Sequence, residues 1–190
     1  MSKIKSDTAY IYITENVAHT LNITNTKYIV EIILLLLFFL ITINVIIPWL
    51  VRFLVPKRLF DENIWIFKER SFESSFYKRI KVSKWKGKLP DAERLIHFQR
   101  SCLPRNIDEA YINRFITECC IAELGHLAVG ISGFFSLLFP IFFPENLQLR
   151  VGVIFFVMSV IDLLAQSLFI IIQRYNRPRL IRLKKLYKNG

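Results

Sequence analysis

The sequence predicts an all-α integral membrane protein: about three transmembrane helices with a basic, aromatic-rich cytoplasmic interfacial segment. Three observations predict it. Hydrophobic residues make up 53% of the 190-residue chain, and mean hydropathy is +0.37, more apolar sequence than a soluble domain of this size needs. The apolar residues gather into three runs, 32–50 (continuing to 55), 121–143 and 151–172. Each reaches the roughly 20 residues that cross a hydrocarbon core. Third, the bases are placed unevenly around those runs. The net charge of +11 comes from 26 Lys or Arg and 15 Asp or Glu. Segment 56–114 holds 14 bases and 8 acids, and the chain after Ile172 holds 7 bases and no acid.

Residues 1–27 are polar, carry no motif and no clear period, and read as a loosely ordered tail outside the cytoplasm. The first span, 28–55, starts after this tail. No small-residue cleavage site follows it, only Pro48, Trp49 and Arg52, so it reads as a retained helix and not as a signal peptide. Buried helices of a soluble bundle seldom stay apolar on every face, which sets that alternative aside.

Segment 56–118 is too aromatic for a linker. Phe60, Trp65, Phe67, Phe72, Phe76, Tyr77 and Trp85 alternate with its charges, as suits head-group depth. Ile64 to Phe67 is apolar enough to dip into the interface, Gly87 and Pro90 bracket a turn, and a helix from Ile107 to Phe115 runs into the next span with Asp108 and Glu109 in its first turn. The second span, 119–143, and the third, 149–173, form a hairpin. Its turn, 144–150, carries only Glu145 and Arg150. The tail, 174–190, is basic. The positive-inside rule places 56–118 and the tail in the cytoplasm, which predicts a multi-pass protein of the bacterial cell (inner) membrane with its C-terminus inside. Because the bases flank spans, anionic lipid is a nearer partner than nucleic acid.

The three cysteines, Cys102, Cys119 and Cys120, lack zinc-ligand spacing and a matching His. They read as reduced thiols without assigned chemistry. No metal cluster is expected.

Ionisable groups inside spans are costly and mark sites or buried pairs. Glu118, Glu123 and His126 fall within an arc of roughly 140° at 100° per residue. Glu123 and His126, three apart, are neighbours on one face and are expected to pair, the carboxylate orienting the imidazole as a general base. Gly125, Gly130 and Gly133 allow another helix to approach. The third span carries Ser159, Asp162, Gln166 and Gln173 on one stripe, facing the first stripe across the hairpin. Two readings of that stripe stand: part of a site, or polar glue between helices. Beyond it runs Gln173-Arg174-Tyr175-Asn176-Arg177-Pro178-Arg179-Leu180. Pro178 is expected to end the helix near Arg177. The charges alone read as a stop signal, which leaves the interleaved Gln, Tyr and Asn unexplained.

From about residue 56 to 186 the chain resembles the glycosyl-4,4'-diaponeurosporenoate acyltransferase family. The ungapped string from Gln173 to Leu180 carries most of the resemblance. Phe72-Glu73, Tyr77, Trp85-Lys86 and Leu89-Pro90-Asp91 add a middle-segment signature, and Glu118, Glu123 and His126 an acidic–acidic–His pattern. The chain departs from the family pattern at Ile121, Leu127, Gln166 and Leu168. The resemblance implies transfer of a long fatty acyl group to the glucose C6 hydroxyl of a glycosylated C30 carotenoid acid. It implies His126, Glu123 and Glu118 as catalytic residues. It implies Glu73, Tyr77, Trp85, Asp162, Gln166, Gln173, Arg174, Tyr175, Asn176 and Arg177 as substrate-binding residues. No cofactor is expected beyond the acyl donor, acyl-CoA or acyl carrier protein. Expected partners are membrane lipids, the lipid-soluble glycosyl carotenoid and other enzymes of its pathway. With no Ser nucleophile motif, direct transfer is expected over a covalent acyl-enzyme. A non-catalytic membrane scaffold, or an acyltransferase acting on another glycolipid, remains the alternative.

Overall fold

Helix α1 spans Ser2–Leu54. The computed structural model describes residues 2–89 and 108–189, with side chains over 26–89 and 108–187; Pro90, Asp91, Cys102 and Ile107 lie outside the described residues. Among these residues no strand occurs, and three helical stretches are long and apolar enough to cross a membrane: Thr26–Leu54, Glu109–Phe142 and Glu145–Tyr187. The chain is a membrane protein.

The helix of α1 begins at Ser2, so the expected loose tail over 1–27 is continuous helix with the first span. The reason is local: no Gly or Pro precedes Pro48, so nothing in the backbone interrupts propagation. Much of its span faces outward, with Leu34, Phe38 and Ile41 exposed, as lipid-facing side chains are.

The interfacial segment folds into a 3₁₀ turn at Lys57–Leu59, helix α2 (Glu73–Arg79), helix α3 (Val82–Trp85) and a 3₁₀ turn at Lys86–Lys88. Lys81, between α2 and α3, is left-handed with φ 53°. The stretch expected to dip into the interface divides. Trp65 is 72% exposed, while Phe67 turns inward with Phe60 against Val51 of α1 and Cys120, because a phenyl ring gains more from a protein core than an indole, whose N–H seeks water.

Helix α4 spans Glu109–Ser132 and starts on an N-cap, the Asp108 side chain accepting from Tyr111 N at 2.7 Å. It tightens into a 3₁₀ stretch, Gly133–Phe142, through Pro140. Helix α5 spans Glu145–Asn189. The turn is therefore shorter than expected. Pro144 O accepts from Leu147 N at 2.8 Å, and Glu145 already occupies the first turn, where the helix dipole favours an acid.

Pro178 does not end α5, which continues to Asn189. Pro178 has no N–H to give the Arg174 carbonyl, but tertiary contacts on either side hold the helical path. Arg174 and Arg177 are anchored by carboxylates before it, and Leu180 after it is buried with Ile112, Phe115, Ile116 and Cys119 of α4.

The α4–α5 seam is lined with small residues. A methyl group added at Gly130 would meet Leu163 and Gln166, one at Gly133 would meet Asp162 and Ser159, and one at Gly125 would instead meet Pro48 of α1. Ser159 Oγ donates to the Gly133 or Phe155 carbonyl at 2.9 or 2.8 Å and lies 3.0 Å from Ser136 Oγ. At the turn end, Ile32 and Leu36 of α1 pack with Phe143, Val151 and Phe155. The three spanning helices thus converge, and their polar residues gather between them.

Candidate functional site

Where α5 emerges beside α2, four charges interlock. Arg174 donates through Nε to Glu73 Oε1 at 3.1 Å and through Nη1 to Glu123 Oε1 at 2.6 Å. It also donates to the carbonyls of Ile66 (2.8 Å) and Lys68 (3.1 Å). Arg177, whose side chain is 2% exposed, donates to Glu123 Oε2 and to the Phe67 carbonyl. Tyr77 donates its hydroxyl to Glu73 Oε2 at 2.8 Å. Burial alone would raise the Glu73 carboxyl, but hydrogen bonds from Arg174 and Tyr77 outweigh it and hold the group below the usual carboxylate range. Burial, then the Glu73 carboxylate, push the Tyr77 phenol up. Every buried charge here has a partner, the condition under which such charges are tolerated.

This geometry replaces the expected Glu123–His126 pair. Both oxygens of Glu123 are taken by guanidinium groups; two cations from α5 outcompete one neutral ring on the same helix. His126 turns instead to α5. Its Nδ1 lies 2.7 Å from Gln166 Oε1. Gln166 Nε2 donates to Asn44 Oδ1 of α1 at 3.0 Å and to Asp162 Oδ1 at 3.1 Å, so the carbonyl end of the amide faces the imidazole and Nδ1 is the donor. The ring stacks on Phe169, centroids 4.8 Å apart and 12° from parallel. With Nδ1 as donor, the ring in its neutral form carries its lone pair on Nε2. Asp162 Oδ2 is buried without a hydrogen-bond donor among the described residues.

Glu118 stands apart from both groups. Arg52 of α1 grips it with Nη1 to Oε1 at 3.0 Å and Nη2 to Oε2 at 2.5 Å, a two-pronged brace between α1 and α4. Tyr175 packs with Tyr77 and Val82, rings of Tyr77 and Tyr175 meeting edge-on at 5.9 Å. Trp85 joins that cluster and donates Nε1–H to the Ile80 carbonyl at 3.0 Å. Asn176 Oδ1 accepts from Lys86 Nζ at 2.9 Å. Burial, with the charge of Arg179, lowers the Lys86 ammonium. Gln173 is buried on α5. Cys119 and Cys120 are buried free thiols. Among the described residues no group of three His, Cys, Asp or Glu is placed to hold a metal ion.

The sequence pattern did not point to Asn44, Arg52 or the carbonyls of Ile66, Phe67 and Lys68, and it gave Lys86 only as part of a family signature, without a partner. Asn44 carried a usable signal, since a lone amide inside an apolar run seeks a partner on another helix. Backbone carbonyls carry none.

The binding geometry falls on segments shared with known proteins. The family model for glycosyl-4,4'-diaponeurosporenoate acyltransferase matches residues 63–186. Two proteins named glycosyl-4,4'-diaponeurosporenoate acyltransferase, from Staphylococcus aureus strains MRSA252 and N315, are 34% and 35% identical over 140 and 141 residues, each alignment covering 70% of this chain and 77% of the relative. No solved structure matches. The matched span contains the four-charge cluster, His126, Gln166 and the whole Gln173–Leu180 string, and the chain belongs to the glycosyl-4,4'-diaponeurosporenoate acyltransferase family, a family of acyltransferases.

Proposed function

We propose that this chain moves a long-chain fatty acyl group from a thioester donor to the C6 hydroxyl of a glucose esterified to a C30 carotenoid acid. The carrying observation is the fixed ring of His126, with Nδ1–H given to Gln166 and the plane set by Phe169. In this reading the sugar hydroxyl oxygen attacks the acyl carbonyl carbon as its proton passes to His126 Nε2. The new C–O bond forms, the C–S bond breaks, and the proton leaves with the thiolate. General-base action of this kind contributes about 10²–10⁴-fold. Gln166, held by Asn44 and Asp162, keeps the proton on Nδ1. Glu123 acts at one remove, fixing α5 against α4 through Arg174 and Arg177. In this reading Arg174, Tyr175 and Asn176 border the path of the sugar and donor, and both greasy substrates reach the hairpin through the bilayer. The charge asymmetry around the spans supports a bacterial cell membrane location with the site on the cytoplasmic side, in reach of pathway enzymes.

The experiment is mass spectrometry of lipids from carotenoid-producing cells with and without the chain. Glycosyl carotenoid acid should be converted to its fatty ester only when the chain is present. An unchanged carotenoid profile alongside a newly acylated glycolipid of another class overturns the acceptor assignment.

A further inference from the structure

A cavity of about 290 Å³ opens between α2, α3 and the stretch of α5 that passes Pro178. Its wall is cationic. Lys78, Lys81 and Lys84 line one side and Arg179 and Arg182 the other, with Glu69 the one acid among the described lining residues. Arg174 also borders the cavity, but Glu73 and Glu123 occupy its charge. None of the other five cations shares an ion pair with a carboxylate among the described residues, although nearby Lys184 does so with Glu62. All five are exposed, and like charges gathered around one concavity give it a positive potential that draws an anion in.

The lysine side is built, not incidental. Lys81 holds the left-handed conformation, φ 53° and ψ 44°, which disfavours a residue with a Cβ and recurs where function sets the backbone. This turn swings α3 back so that residues from both short helices face one space. Lys84 N donating to Lys81 O at 2.9 Å and Trp85 Nε1 donating to Ile80 O at 3.0 Å keep it closed. On the other side the Arg179 guanidinium rests 3.7 Å above the Tyr175 ring, so its plane is already oriented.

We propose that this cavity binds the phosphates of a coenzyme A thioester and so identifies the acyl donor; the inference rests on the acyl-transfer reading above. Two features separate this ligand from other phosphates. Five cations without a carboxylate partner among the described residues suit a nucleotide carrying a pyrophosphate and a further phosphate ester better than the single phosphodiester of a carrier-protein arm. The cavity is also remote from His126. Along α5, Gln166 lies about 12 Å from Arg174 and about 20 Å from Arg179 at 1.5 Å per residue. An extended pantetheine arm spans that kind of distance from its phosphates to its thioester. In a phospholipid the ester carbonyl lies only a few bonds from the phosphate.

The test uses the full chain in phosphatidylcholine nanodiscs, titrated by calorimetry with coenzyme A, 3'-dephospho-coenzyme A and pantetheine. Coenzyme A should bind, lose affinity stepwise with salt and with removal of the 3'-phosphate, and give way to no detectable binding for pantetheine. Lys81→Gln and Arg179→Gln should each weaken coenzyme A by about tenfold, the scale of one charge-assisted hydrogen bond, while exposed Lys57→Gln leaves it unchanged. Arg179→Gln carries the result if the Lys81 turn fails to fold. Equal affinity in wild type and both pocket variants overturns the proposal. So does loss of coenzyme A binding in nanodiscs containing phosphatidylglycerol, which assigns the cavity to lipid head groups, or transfer from acyl carrier protein but never from coenzyme A. Because no acceptor is present, coenzyme A binding with no carotenoid ester in cells overturns the acceptor reading alone.

Discussion

Nδ1 of His126 and Oε1 of Gln166 meet at 2.7 Å across the hairpin, forty residues apart in sequence. The amide, not the adjacent Glu123, sets the tautomer of the ring.

His126→Ala should insert and accumulate normally yet turn over at least about a hundredfold more slowly, the lower end for a lost general base. Gln166→Leu should lower kcat by about tenfold with little change in KM, because the ring loses the acceptor that holds its orientation and the proton on Nδ1. Purified protein in nanodiscs, assayed per mole of inserted chain, checks both. A raised KM with unchanged kcat in Gln166→Leu would leave it a packing residue.

Glu123→Gln should act on stability. It takes the one carboxylate from buried Arg177 and leaves Arg174 with Glu73 alone, and breaking a buried pair costs about 3–5 kcal/mol. Thermal unfolding in detergent should begin well below wild type, while the molecules that remain folded keep most of their turnover. Normal stability with slow transfer would return Glu123 to the chemistry.

Arg174→Lys should fail even though charge is conserved. One ammonium cannot reach Glu73, Glu123, Ile66 O and Lys68 O together, a geometry that needs the planar fork. The expected sign is lower thermal stability than wild type; equal stability and equal activity would make the position a plain positive anchor.

Acid should open the same cluster. Glu73 binds its proton less readily folded than unfolded, since Arg174 and Tyr77 overcome the effect of burial and lower it from 4.5. Its contribution is therefore complete above about pH 4.5 and is lost as pH falls through the lower folded value. Wild type should lose more thermal stability between about pH 6 and pH 3.5, values spanning the usual carboxylate range, than Glu73→Gln does. Parallel curves would contradict this.

Topology reporters check the orientation. Fusions after Gly190 and near Lys86 should be active in the cytoplasm and one near Asn146 outside, following the bases. Cytoplasmic activity at Asn146 would break the hairpin orientation.

The spans and the facing polar stripes were legible in the sequence because apolar length and helical period are local properties. Gln166 and His126 could each be placed on a stripe. Partner choice could not be read. Glu123 and His126 look paired at a separation of three, but an arginine 51 residues away binds the carboxylate more strongly than the adjacent imidazole. Pro178 misleads for a similar reason. The local rule ends the helix, and the anchoring of Arg177 on one side and Leu180 on the other overrides it. The extended helix before residue 28 follows from the missing Gly and Pro, a signal that the polar composition of that stretch masks.

The four-charge cluster also sets an order of events during biosynthesis. Glu73 and Glu123 leave the ribosome 101 and 51 residues before Arg174, the cation that joins them. Until the C-terminal part of α5 has been made, the interfacial segment is held only by the packing of Phe60 and Phe67 on Val51 and Cys120, and Glu123 lacks its counter-ions. A chain truncated just before Arg174 therefore carries all three apolar runs yet leaves the Glu73 and Glu123 carboxylates without the guanidinium groups that join them.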